Sequence, residues 1–227
     1  MDYMDLYCER IAPGLTGEPL NAISNLAFFI AAFAIAKLAL NQNKVSVEIL
    51  RLVGLTVAIG IGRTLFHTFA TRWSNWLDII PIFLFQLYFL WLYTRRVIRM
   101  KSLFAGILIT GFVFASLLSQ QFTHILNGSL SYAPALLILG SLGIYHDQQQ
   151  KQEPLILLEA TGVFFLALFF RTFDSTICPD FPFGTHFLWH LLNGVVLYLS
   201  ARGLILNLNT IAKPSDSTSL KTVHKHD

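Results

Sequence analysis

The sequence predicts an all-α fold, an integral membrane bundle of seven transmembrane helices. Of its 227 residues, 54% are hydrophobic and only 13% are charged, whereas soluble domains carry about 25% charged residues. Apolar stretches of roughly 17–25 residues recur along the chain, and each is long enough to cross a hydrocarbon core of about 30 Å. Basic residues do not alternate with stacking aromatic residues in any patch, so no nucleic-acid partner is expected.

Seven spans are predicted from these stretches, and proline or glycine residues lie at several of their ends. Pro19 precedes the first span, and the segment 179–184 precedes the seventh. The predicted spans are residues 21–40, 49–69, 77–97, 102–119, 130–145, 154–170 and 185–207. Residues 1–207 are predicted to form one membrane domain that begins with an outer segment, 1–20, and residues 208–227 are predicted to be a disordered tail.

The basic residues predict the orientation of the bundle. They are concentrated in the loops after the first, third and fifth spans and in the C-terminal tail, whereas the alternate loops carry few. Because basic loops stay in the cytoplasm, the N-terminus is predicted outside and the tail in the cytoplasm. The basic residues of these loops and of the tail are Lys44, Arg95, Arg96, Arg99, Lys101, Lys151, Lys213, Lys221 and Lys225.

Three histidines are predicted at the outer ends of two spans. His67 lies near the end of the second span, and His186 and His190 lie at the start of the seventh. Positions i and i+4 share a helix face, so His186 and His190 can point at one metal ion, with His67 as a third ligand. Three protein ligands and an open position for water are typical of catalytic zinc. The alternative is a set of interhelical hydrogen bonds, but the matching depth and the cost of ionisable groups in a membrane favour a metal site.

Asp78 lies at the same outer boundary, at the start of the third span. There it either serves the metal site, as a general base or as a partner of a ligand, or complements the dipole at the N-terminus of its helix. The sequence alone leaves these two interpretations open.

The N-terminal segment is acidic and contains Asp5, Glu9 and Glu18. Oxygen ligands close together can hold calcium, although the spacing is not that of an EF-hand loop. The alternative is a solvated acidic leader.

Cys8 and Cys178 are the two cysteines of the sequence, and the predicted orientation puts both outside. In an oxidising compartment they are expected to form a disulfide. The alternative is two free thiols.

Three blocks of sequence carry a family resemblance that covers nearly the whole chain. They are Asp5–Arg10 leading into Glu18–Leu26, Gly60–His67 continuing to 77–81, and His186–Gly194. In this order and on these helices, the blocks resemble the alkaline ceramidase family, within a wider group of seven-helix zinc-dependent membrane hydrolases that includes the adiponectin receptors.

The resemblance implies an enzyme that cleaves the amide bond of ceramide or a related N-acyl lipid to a fatty acid and a long-chain base. It implies a zinc ion held by residues matching His67, His186 and His190, and a catalytic aspartate matching Asp78. The lipid substrate would lie in the bilayer with its acyl chain between the helices. Such a zinc ion lowers the pKa of water towards about 7, and Asp78 would accept the proton and deliver it to the leaving amine.

The resemblance also implies a calcium site and a disulfide near the zinc. Glu9 and Glu18 match the calcium ligands, Asp5 matches with a shift of one residue, and Ile11 stands where an asparagine is expected. Cys8 matches the N-terminal cysteine of the family's disulfide. This match makes Cys178 its expected partner.

Arg63 departs from the family pattern, which has a serine four residues before the histidine that His67 matches. Position i−4 is on the same helix face, so the guanidinium aims towards the metal and needs a counter-ion, for which Asp78 and Asp174 are the candidates. Arg63 is predicted either to donate to the developing oxyanion or to bind an acidic lipid headgroup. The alternative is that it pairs with an acidic residue and reduces or reshapes the activity.

Two other functions are consistent with seven helices and a zinc site. One is a receptor or lipid-binding protein with structural zinc and little or no hydrolase activity. The other is a proton-coupled transporter that uses histidine and aspartate as a relay, but the sequence shows no inverted repeats or broken helices to support it. The oligomeric state is not predicted.

Overall fold

The computed structural model describes residues 3–12, 14, 16–122 and 124–208. Within these ranges it contains no β-strand, and seven helices are long and apolar enough to cross a membrane. The predicted all-α bundle of seven spans is therefore confirmed. Apart from Leu208, the predicted cytoplasmic tail lies outside the described residues.

Eight α-helices form the seven spans, because α1 and α2 follow one another within the first. The helices are α1 (Pro19–Ser24), α2 (Leu26–Asn41), α3 (Val47–Phe69), α4 (Arg72–Leu92), α5 (Ser102–Ser119), α6 (Ala133–Gln148), α7 (Ile156–Ile177) and α8 (His186–Asn207). A π-helical turn, Tyr93–Val97, extends α4, and short 3-10 segments join α5 to α6.

Two helices extend beyond the predicted spans, and each extension contains a fully buried polar residue, Ser74 or Asp174. α4 begins at Arg72, five residues before the predicted span, where Thr71 and Ser74 form a capping box. α7 continues to Ile177, past the predicted end at residue 170, and includes the fully buried Asp174. Hydropathy alone misses both extensions because it treats every polar residue as exposed to water or lipid.

The packing order brings the C-terminal end of α3 and the N-terminal end of α8 together. α8 packs against α2 and α7, α3 packs against α2 and α4, and α1 contacts both α3 and α8. Gly62 allows the closest approach in α3, since a Cβ atom there would lie 1.9 Å from the carbonyl oxygen of Leu77. Small residues permit such contacts between membrane helices, and this contact fixes the first turns of α4 against α3.

The N-terminal segment lies across these ends of the two helices. Its backbone bonds to the end of α3, with Met4 N donating to Ala70 O at 2.8 Å and Gly14 N donating to Thr68 O at 2.9 Å. A disulfide joins Cys8 to Cys178, which confirms the predicted pairing and excludes the two free thiols.

Candidate metal centre

The structure brings the three predicted histidines into one buried group. His67 comes from the last turn of α3, and His186 and His190 come from the first turns of α8. Each is at most 1% exposed, and one nitrogen from each lies within 4.8 Å of the others. Across the described part of the chain, no other group of three or more histidine, cysteine, aspartate or glutamate side chains has this arrangement.

Hydrogen bonds from the N-terminal segment orient two of the three rings. His67 Nδ1 contacts the carboxylate of Glu18. His190 Nδ1 lies 2.7 Å from Ser24 Oγ and 3.1 Å from Asn21 O. Because the Ser24 hydroxyl donates to Asn21 O, it is left to accept from the histidine. These acceptors favour a proton on Nδ1 and a free lone pair on Nε2 of both rings.

The free nitrogens fit a metal ion. Within the described ranges, Nε2 of His67, Nε2 of His190 and both ring nitrogens of His186 have no hydrogen-bond partner. Buried polar atoms are almost always bonded, and a shared cation would satisfy one nitrogen of each ring. His186 is held differently from the other two, since its ring stacks on Tyr7 at a centroid distance of 3.7 Å. Burial raises the pKa of the Tyr7 hydroxyl.

Arg63 of α3 and Asp78 of α4 form a buried ion pair. Arg63 Nε lies 3.4 Å from Asp78 Oδ1, and the two side chains are 3% and 7% exposed. The guanidinium also lies over the rings of Phe28 and Trp189, with its carbon 5.6 Å and 5.9 Å from the two ring centroids. The structure therefore gives Asp78 as the counter-ion of Arg63.

Asp174, the other candidate counter-ion, binds backbone N–H groups. Its carboxylate accepts the backbone N–H groups of Cys8, Thr185 and His186 at 2.7–3.1 Å. It thus satisfies unpaired donors at the start of α8 and ties the N-terminal segment to them, so it positions the helix that carries two of the histidines.

The predicted calcium ligands do not form an open set of oxygen atoms. Glu9 accepts the backbone N–H groups of Leu20 and Asn21 at 2.6 Å and 2.8 Å. Burial raises the pKa of the Glu9 carboxyl group, and these two amides partly offset the effect. The Asn21 side-chain amide, in turn, donates to Glu18 Oε2 at 2.9 Å. Asp5 is exposed.

Arg10 occupies the remaining side of Glu18. The two side chains form an ion pair and both are 0% exposed. The cation next to Glu18 is therefore a guanidinium from the chain itself. Two buried amide oxygens nearby, Asn21 Oδ1 and Asn25 Oδ1, have no hydrogen-bond partner among the described residues, and the calcium site stays a prediction. The pairing of Arg10 with Glu18 was not predicted from the sequence, although Arg10 directly follows Glu9.

A cleft of about 370 Å³ opens beside this centre and continues into an apolar cavity. Asp78, Tyr7 and Arg171 line the cleft, whereas Arg63 is among the residues that line the inner cavity. The inner cavity is lined mainly by apolar side chains, including Phe28, Phe85, Phe89, Phe112, Leu139, Phe164 and Val196. Ile82, Gln86, Tyr132 and Ala135 line both spaces, so a polar mouth leads into the interior of the bundle.

Arg171 is a second feature of the mouth that sequence reasoning used only for orientation. It donates to Asn127 O at 2.6 Å and to Ser129 Oγ at 3.1 Å, and its guanidinium lies over the ring of Tyr132. Among the described residues no carboxylate forms an ion pair with it. An arginine directly after the predicted end of the sixth span, at residue 170, was the available signal.

Seven helices able to span a membrane, with three buried histidines that could hold a metal ion and an apolar cavity, define a multi-pass membrane protein with a candidate metal centre. A family model described as Ceramidase matches residues 7–225, nearly the whole chain. The chain belongs to the ceramidase family, which confirms the resemblance carried by the three sequence blocks. The family implies an amidohydrolase that acts on the amide bond of ceramide. A search of curated proteins finds no match to the chain.

Proposed function

We propose that this protein is a zinc-dependent amidohydrolase that cleaves ceramide or a related N-acyl lipid to a fatty acid and a long-chain base. The observation that carries the proposal is the set of unpartnered nitrogens of His67, His186 and His190, which converge in one buried group. Tyr7 connects this group to Asp78, because it stacks on His186 and lines the same cleft as Asp78. Three imidazoles with room for a fourth ligand are the donor set of catalytic zinc centres.

Asp78 is the proposed general base. Zinc, when bound, supplies a Lewis acid that lowers the pKa of water and polarises a carbonyl group. Asp78 lines the cleft and would accept the proton of the attacking water as the carbon–oxygen bond forms. It would return that proton to the amine as the carbon–nitrogen bond breaks.

Arg63 is proposed to support this chemistry through its charge. It compensates the buried carboxylate of Asp78, and removing one partner of a buried pair leaves a costly unpaired charge. Arg63 also lines the apolar cavity and pairs with Asp78 of the cleft, so it can stabilise negative charge that develops on an amide oxygen placed between the two.

The two connected spaces support a lipid substrate. An acyl chain suits the apolar cavity lined by phenylalanine and leucine side chains, and a polar headgroup suits the cleft that contains Gln86, Tyr132 and Arg171. The reacting amide would then lie near Asp78, between the two.

Calcium has no part in the proposed function. Glu9 and Glu18 are engaged by protein donors, and Arg10 supplies a positive charge against Glu18. We propose that Glu18 instead holds the His67 ring, with Arg10 balancing its charge.

A receptor or lipid-binding protein with little hydrolase activity is the second candidate. The Arg63–Asp78 ion pair favours it, because the carboxylate proposed as the base is already engaged by a guanidinium. Both candidates contain zinc, so zinc content alone does not separate them.

An Asp78→Asn variant tests the proposal against this second candidate. The wild-type protein is expected to hydrolyse a fluorescent N-acyl sphingoid lipid, and Asp78→Asn is expected to lower the rate by about 10²–10⁴-fold while it keeps its zinc. Zinc-containing wild-type protein that hydrolyses no N-acyl lipid would support the receptor and contradict the hydrolase.

A further inference from the structure

A basic cavity of about 390 Å³ lies at the end of the bundle opposite to the histidines. α3 begins at Val47 beside this cavity and carries His67 near its other end, and at 1.5 Å per residue the two ends are about 30 Å apart. The cavity is lined by Asn43, Lys44, Val45, Ser46, Glu48, Leu92, Arg95, Arg96, Arg99 and Leu208. It shares no residue with the cleft or with the inner cavity.

The lining of this basic cavity carries a large excess of positive charge. Its four cationic side chains are opposed by one carboxylate, a net charge of +3. That carboxylate, Glu48, lies 2.5 Å from Arg96 Nη2. Arg99 is exposed, and no described residue pairs with it.

Contacts with the backbone hold two of these cations in place. Lys44 Nζ donates to Ile205 O at 2.9 Å and to Leu206 O at 2.7 Å, and Arg95 donates to Met100 O. These carbonyl oxygens fix the side chains without neutralising their charge. Arg99 has a left-handed backbone, with φ at 63°, a conformation that is uncommon outside glycine.

We propose that the basic cavity binds a phosphate group, either that of an anionic lipid headgroup or free phosphate. Guanidinium groups match phosphate oxygens in pairs, and fixed cations lose little freedom on binding. Apolar side chains of Leu92, Val45 and Leu208 at the same cavity suit the glycerol end of a lipid. The predicted orientation puts this end in the cytoplasm, where basic pockets between spans bind anionic headgroups.

Two matched double variants distinguish binding in the basic cavity from nonspecific attraction to the basic residues at this end of the bundle. Arg96→Ala with Arg99→Gly removes two charges from the cavity, and the glycine also relaxes the left-handed backbone. Arg51→Ala with Lys101→Ala removes two exposed charges from the same end that do not line the cavity. Binding of dioctanoyl phosphatidic acid to the full chain in neutral detergent is measured by calorimetry. Dioctanoyl phosphatidylcholine and inorganic phosphate serve as comparison ligands.

The cavity variant is expected to weaken phosphatidic acid binding at least about tenfold, and the control variant less than about twofold. Phosphatidic acid that binds more tightly than inorganic phosphate assigns the site to a lipid, and equal affinities assign it to free phosphate. Equal losses in both double variants, or phosphatidylcholine binding as tight as that of phosphatidic acid, would overturn the proposal.

If the cavity variant does not fold, the Arg99→Gly single variant is compared with Lys101→Ala instead. Equal affinities of these two variants for phosphatidic acid would again overturn the proposal. The probes contain no amide, so the outcome does not depend on hydrolysis.

Discussion

Arg10 is the cation next to Glu18, and Glu18 in turn contacts the His67 ring. Replacing Arg10 with alanine leaves a buried carboxylate without a counter-ion, which costs about 3–5 kcal/mol. We therefore expect Arg10→Ala to lower the melting temperature and to weaken zinc retention against a chelator, with Arg10→Lys recovering part of both. The visible spectrum of cobalt-substituted protein reports whether the ligand geometry changes with the variant.

Calcium provides the control for this prediction. Millimolar calcium is expected to leave the melting temperature of the wild-type protein unchanged and to restore part of that of Arg10→Ala, because the variant frees the carboxylate. A wild-type protein that is stabilised by calcium and loses activity in a calcium chelator would contradict this prediction. It would show that Arg10 does not replace a calcium ion next to Glu18.

Arg63 is predicted to affect both rate and substrate range. The Arg63→Ser substitution introduces the residue that the family pattern has there but leaves Asp78 buried without its ion-pair partner. We expect a lower melting temperature and a rate on N-acyl lipids reduced at least about tenfold, with Arg63→Lys intermediate. Hydrolysis of a panel of neutral and acidic N-acyl lipids measures the effect, and unchanged rates and range would refute a functional part for Arg63.

At the scale of helices, the contact of α3 with α4 is predicted to control the site. Gly62→Ala would bring a Cβ atom to 1.9 Å from Leu77 O, so α4 must move and carry Asp78 with it. Gly54→Ala on the same helix is the matched control, since nothing lies within 4 Å of its Cβ position.

We expect Gly62→Ala to lower the melting temperature and to reduce hydrolysis at least about tenfold, since a displacement of about 1 Å at a reacting group can cost 10²-fold. Gly54→Ala is expected to be neutral or slightly stabilising, because alanine favours a helix over glycine by up to about 1 kcal/mol. Thermal unfolding and hydrolysis rates of the two variants, measured together, check the expectation. Equal behaviour would show that the contact does not position Asp78.

The helices also show what local sequence can and cannot predict. Apolar length predicted all seven spans, because each must satisfy its own backbone within the bilayer. The extension of α7 to Ile177 was missed because the burial of Asp174 depends on backbone donors outside its own helix, at Cys8, 166 residues away, and at the start of α8. Such partners are set by tertiary packing and leave no periodic signal.

Across the whole molecule, the sequence predicted the common depth of the three histidines. It did not predict the ion pairs around them. Orientation and helix spacing brought His67, His186 and His190 to one level, as the structure has them. The Arg10–Glu18 pair and the choice of Asp78 over Asp174 for Arg63 depend on how the N-terminal segment lies over the bundle. The position of the N-terminus outside the cell or organelle stays a prediction.

Zinc analysis of the purified full chain, with ceramide hydrolysis assayed on the same samples, tests the central claim most directly. The account predicts about one zinc ion per chain and measurable hydrolysis for the wild-type protein. His190→Ala is expected to lose both the zinc and the activity, because Nε2 of His190 is one of the three free nitrogens. Wild-type protein without zinc that hydrolyses ceramide, or a His190→Ala variant that keeps full activity, would contradict it.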